Sequence, residues 1–140
     1  AAWALEALPA PAPVDRALLL APALSPRYNL APALDRVRHR ATATYSWGDL
    51  FLMGLGTTVF GTIDRRFGPS AGLVGFRLPP DLAPAERGAY ARLRQMPWRP
   101  AMIRDGHLGE HCGWTGVRFA RRVLAPIVRG ESDPGDPLVA

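Results

Sequence analysis

The sequence contains no lysine and only one cysteine. All 17 basic residues are arginine. With 15 prolines and many alanines, that usage matches a GC-rich genome, which is a mutational bias and not a functional signal. The lone Cys112 excludes an intramolecular disulfide and cannot build a Cys-rich zinc site. Long apolar runs are also missing. The longest uncharged stretch, residues 50–63, is too short to span a bilayer and carries three glycines. No internal repeat and no secretory signal is visible. What is present is globular composition, 48% apolar and 21% charged, in a chain of 140 residues.

The net charge of +5 raises the question of a nucleic-acid or membrane partner. The arginines are scattered, and the two densest places, residues 36–40 and 118–122, alternate with apolar residues. That pattern reads as solvated helix faces, with no aromatic-interleaved basic motif to hold nucleic acid. The expected partner is a small-molecule substrate, with no nucleic acid, no membrane span and no cofactor.

The first eight residues, AAWALEAL, read as the tail of a helix and open without an initiator Met, so the chain is expected to be part of a larger domain. A Pro-Ala-Pro-Ala-Pro linker follows. Residues 14–21 read as a strand, continuously apolar in its second half as strands buried on both faces are. Residues 30–38 read as a short amphipathic helix with Leu30, Leu34 and Val37 on one face. Residues 41–46 form a second strand candidate that runs into Trp47-Gly48-Asp49. A helix is expected over 84–93, a brief third strand over 100–104, and a closing amphipathic helix over 114–125, ended by Pro126. Residues 130–140 read as a flexible tail. Alternation of strands and helices implies an α/β fold with a mostly parallel sheet. Three strands make a poor sheet alone, which again suggests one flank of a larger domain.

In open parallel sheets, functional residues gather just past the C-terminal ends of the strands. Asp49 lies there, three residues after the second strand. So does the loop "RDGHLGEHCGW" (104–114), which holds His107 and His111. A carboxylate bonded to one ring nitrogen fixes the tautomer and leaves the other nitrogen free to take a proton. Asp49 could equally cap a helix beginning at Leu50. A metal at His107 and His111 is disfavoured: Gly106, Gly109 and Gly113 oppose a helix, and H-L-G-E-H is not H-E-x-x-H. Residues 68–72, G-P-S-A-G, match the G-x-S-x-G pattern, but Thr62-Ile63-Asp64-Arg65-Arg66-Phe67 is too charged for the buried strand that should precede it. Cys112 reads as a small buried packing residue.

Taken together, "VDRALLLAPAL" (14–24), "ATATYSWGD" (41–49) and "MPWRPAMIRDGHLGEHCGWTGVRFARRVLAPIV" (96–128) resemble the C-terminal half of the α/β-hydrolase fold. The likeness is to poorly characterised bacterial hydrolase-like proteins. It implies that residues 1–129 are the C-terminal part of a single three-layer αβα domain that hydrolyses an ester-like or acyl substrate. It also implies Asp49 as the acid and His111 as the base of a triad. His107 would be a bystander on an exposed loop. The nucleophile would lie upstream of residue 1, because the family order is nucleophile, acid, histidine. Ser70 stands after Asp49 and has the wrong order. The piece alone is expected to be inactive, and residues 50–63 could line an apolar pocket. The alternative is a hydrolase-like domain without catalysis that serves binding or scaffolding.

Overall fold

The computed structural model describes residues 1–9, 13–49 and 61–137. Four strands form one mixed sheet in the order β1-β2-β3-β4: Val14–Leu19, Val37–Tyr45, Leu93–Pro97 and Asp136–Pro137. The first three are mutually parallel, and β4 runs antiparallel to β3.

Strand β1 ends two residues earlier than its apolar run suggests. Ala21 there adopts a positive φ of 38°, and its N–H is taken by Thr44 Oγ1 at 3.0 Å. The chain between β1 and β2 departs further from the sequence pattern. Only Ala31–Leu34 is helical, and the sheet claims everything from Val37. Pairing with β1 (Val14 opposite Val37, Ala17 opposite Ala41) overrides the helical spacing of Leu30, Leu34 and Val37. The basic cluster therefore sits mainly on a strand rather than on a helix face. Arg38 meets Asp15 on the neighbouring strand at 2.7 Å, and Arg40 meets Asp133 at 3.0 Å.

The third strand is Leu93–Pro97, not residues 100–104. Pro100, which has no N–H to give a ladder, instead enters the first turn of a 3-10 helix, Pro100–Asp105. Upstream, the α-helix covers Pro84–Ala89 and tightens into a 3-10 turn at Tyr90–Arg92. The closing helix runs further than Pro126 would suggest. It starts as Val117–Phe119, widens to a π turn at Ala120–Leu124 and continues as Ala125–Arg129. The wider turn ends where Pro126 enters the first turn of the last piece, so the missing N–H breaks no regular ladder. The stretch expected as a tail contributes β4, opposite Arg94 and Gln95.

Side chains alternate across a strand, and β1 uses the alternation to feed two cores. Ala17 and Leu19 join a cluster with Leu30, Leu34, Phe76 and Leu93. Leu18 and Leu20 join a second, built on Trp114, Phe119, Leu124 and Ile127. Trp114 and Phe119 are fully buried, and such side chains contribute about 2–3 kcal/mol each. The second core lies directly beneath the histidine loop. No helix among the described residues is long and apolar enough to cross a membrane.

Candidate active site

Because β1, β2 and β3 are parallel, their C-terminal ends share one edge of the sheet. A backbone lattice ties that edge together. The N–H of Ser46, just past β2, donates to Gly72 O, and the Gly72 N–H donates to Pro22 O beyond β1. Trp98, just past β3, donates its N–H to Tyr45 O.

After β2 the chain makes a single 3-10 turn, Trp47–Asp49. Ser46 builds this turn. Its carbonyl receives the Asp49 N–H at 3.2 Å, and its Oγ receives the Gly48 N–H at 3.1 Å while donating to Gly109 O at 2.6 Å. The acid turn is thereby clasped to the histidine loop. Gly48 is obligatory at this crossing, since a Cβ there would fall 2.6 Å from Gly109 O.

The clasp brings Asp49 Oδ2 within 2.6 Å of His111 Nδ1. The Asp49 side chain is 1% exposed and that of His111 is 37% exposed. An ionised carboxylate only accepts, so Nδ1 carries the proton and Nε2 keeps its lone pair. Burial raises the Asp49 carboxyl above its ordinary range, and the hydrogen bond and charge of His111 pull it part of the way back. Asp49 Oδ1 is buried with no hydrogen-bond partner among the described residues. His111 also lines a pocket of about 330 Å3, whose other described walls include Trp3, Leu20, Ala21, Leu24 and Ile63. It is the one titratable side chain among those described walls.

His107 is not an exposed bystander. It is fully buried, and its ring packs edge-on to Trp114 and Phe119, with centroids 4.1 and 5.0 Å away. Its Nδ1 accepts the Gly109 N–H at 3.1 Å, and its carbonyl accepts Trp98 Nε1–H at 3.0 Å. Burial pushes the imidazole below its ordinary pKa, partly offset by the nearby Glu110 carboxylate. A buried neutral ring of this kind shapes the loop that carries His111. The sequence cue for it was Gly113, where a Cβ would come within 2.1 Å of His107 Nδ1. Cys112 is exposed, against the expectation of a buried packing residue, because the 3-10 turn His111–Thr115 directs Gly113 and Trp114 inward instead.

Ser70 sits at the start of the short helix Ala71–Val74, in extended backbone with φ −80° and ψ 163°. Residues 61–69 ahead of it form no strand, its backbone is unstrained, and its Oγ is wholly buried without a partner among the described residues. A nucleophile elbow presents its serine the opposite way, exposed on a strained turn. Ser25 is occupied in bonding Asp64. Among the described residues no hydroxyl or thiol is hydrogen-bonded to His111. The helix that Asp49 could cap from Leu50, and most of the possible pocket wall at 50–63, lie outside the described residues. Among the described residues no group of three or more His, Cys, Asp or Glu side chains could hold a metal. Compared with protein-family models, curated proteins and solved structures, the chain matches none.

Proposed function

We propose that the chain is the acid-and-histidine half of an α/β-hydrolase, with helices covering both faces of the sheet in three layers. The observation that carries this reading is the 2.6 Å bond from His111 Nδ1–H to a buried Asp49 carboxylate. The bond leaves Nε2 free on a residue that lines an apolar pocket. That arrangement suits general-base catalysis: Nε2 takes a proton from a nucleophile as it attacks an acyl carbon and later returns it to the leaving group. Asp49 holds the tautomer and stabilises the imidazolium. In this reading the nucleophile and the oxyanion donors come from outside these residues, which therefore do not turn over substrate unaided.

The test is hydrolysis of p-nitrophenyl acyl esters by the protein expressed together with any coding sequence preceding residue 1. His111→Ala and Asp49→Asn should each lower kcat/KM by about 10³–10⁴-fold while the fold persists. Residues 1–140 by themselves should be inactive. Turnover that survives His111→Ala would sink the proposal, and turnover lost in Ser70→Ala would move the nucleophile to Ser70. A folded full-length protein without turnover or covalent labelling by an organophosphate would favour the binding or scaffold alternative.

A further inference from the structure

The largest pocket described lies on the other side of the wall from His111. It has a volume of about 480 Å3 and is lined by Arg27, Arg66 and Arg77, with Asp81 as the one acid among its described walls. Ser25 and Thr62 line this pocket, while their chain neighbours Leu24 and Ile63 line the pocket of His111. Six other arginines of the chain (Arg38, Arg40, Arg92, Arg99, Arg122 and Arg129) meet carboxylates. Among the described residues, the three pocket arginines meet none. The nearby acid Asp64 is engaged elsewhere: it accepts the backbone N–H and the hydroxyl of Ser25. Although burial pushes its carboxyl up, hydrogen bonds from Ser25 and Thr62 outweigh that and hold it below the ordinary range.

Two of the three arginine backbones are fixed in advance. Arg77 N–H donates to Pro26 O at 2.7 Å, which ties its strand of chain to the residue beside Arg27. Arg66 is locked by three bonds to Thr62: its carbonyl accepts the Thr62 N–H and hydroxyl, and its N–H donates to Thr62 Oγ1. The turn between them holds Arg65 at φ 59°, a left-handed conformation that non-glycine residues rarely adopt. The next two residues, Arg66 and the 79%-exposed Phe67, line the pocket. Three arginines against one carboxylate give the pocket lining an excess of two positive charges, beside the exposed Phe67.

We propose that this pocket binds a small oxyanion with about two negative charges, a phosphomonoester or a dicarboxylate, whose apolar part rests on Phe67. Guanidinium groups suit such oxyanions because they present paired N–H donors that match two oxygens at once. The site does not depend on the hydrolase proposal.

Calorimetric titration of the protein at low ionic strength with phenyl phosphate, phthalate, inorganic phosphate and phenol tests it. Phenyl phosphate or phthalate should bind, inorganic phosphate several-fold more weakly, and phenol not at all. Arg66→Gln and Arg77→Gln, both exposed and leaving the backbone bonds in place, should each weaken binding at least tenfold. Circular dichroism should show their fold unchanged. Absence of binding by both aromatic anions up to about 10 mM, or binding equal in the two variants and the parent, would overturn the proposal. Tighter binding of phenol than of phenyl phosphate would do so too.

Discussion

Gly113→Ala is the substitution the loop should tolerate least. The new Cβ would stand 2.1 Å from His107 Nδ1, 2.6 Å from Cε1 and 2.9 Å from Cγ. The ring cannot withdraw, because Trp114 and Phe119 hold it edge-on and no surface of it reaches solvent. Overpacking of this kind costs about 1–3 kcal/mol. Displacing the ring also removes the acceptor of the Gly109 N–H, and an orphaned buried donor costs about 1–3 kcal/mol more. The sum is about 4 kcal/mol, or on the order of 10 °C in Tm for a chain of this length. Urea denaturation should be run beside Gly88→Ala, which lies inside the helix Pro84–Ala89 with no atom within 4 Å of a new Cβ. That control should stabilise by about 0.5–1 kcal/mol. In a His107→Ala background, where the ring is absent, the cost of Gly113→Ala should fall below about 1 kcal/mol. A small cost with His107 present, or the same cost without it, would refute the packing assigned to this loop.

Two further predictions follow from buried polar groups. His107 is held neutral by burial, whereas in the unfolded chain it takes up a proton near pH 6.5. The unfolded state then binds more protons at low pH, so this contribution to stability is complete above about pH 6.5 and is lost as pH falls through that value. Urea midpoints between pH 8 and 5 should therefore slope less in His107→Gln than in the parent. An equal slope would remove His107 as the cause. Ser70→Ala deletes a buried hydroxyl with no partner among the described residues, so it should change stability by no more than about 1 kcal/mol, and in the stabilising direction. A large loss would mean that Ser70 Oγ has a partner.

The parts of the fold that were legible in the sequence are those set by local chemistry. β1 announces itself by Leu18-Leu19-Leu20 and β2 by Ala41-Thr42-Ala43-Thr44-Tyr45, and both exist with shifted ends. What was not legible depends on partners distant in the chain. Val37 to Arg40 has helical spacing but pairs with Val14 to Arg16, and nothing local foretells that choice. Leu93-Arg94-Gln95-Met96 looks too polar for a strand. Its polarity is explained by Gln95, whose amide bonds both backbone groups of Phe76. At the site, Asp49 could be singled out by its position after β2. The strand expected to deliver the histidine loop, 100–104, is instead a 3-10 helix, and the choice of His111 over His107 came from the hydrolase resemblance. The clasp of Asp49 to His111 through Ser46 and Gly109, and the inward turn of His107, depend on a crossing of two loops that sequence spacing does not encode.

The tautomer of His111 tests the Asp49–His111 pairing most directly. In 15N-labelled protein near pH 8, two-bond 1H–15N correlations should place the ring proton of His111 on Nδ1, and Asp49→Leu should shift it toward Nε2, the tautomer free imidazole prefers. A parent protein with the His111 proton on Nε2, or a tautomer indifferent to residue 49, would contradict the pairing and the proton-transfer role built on it.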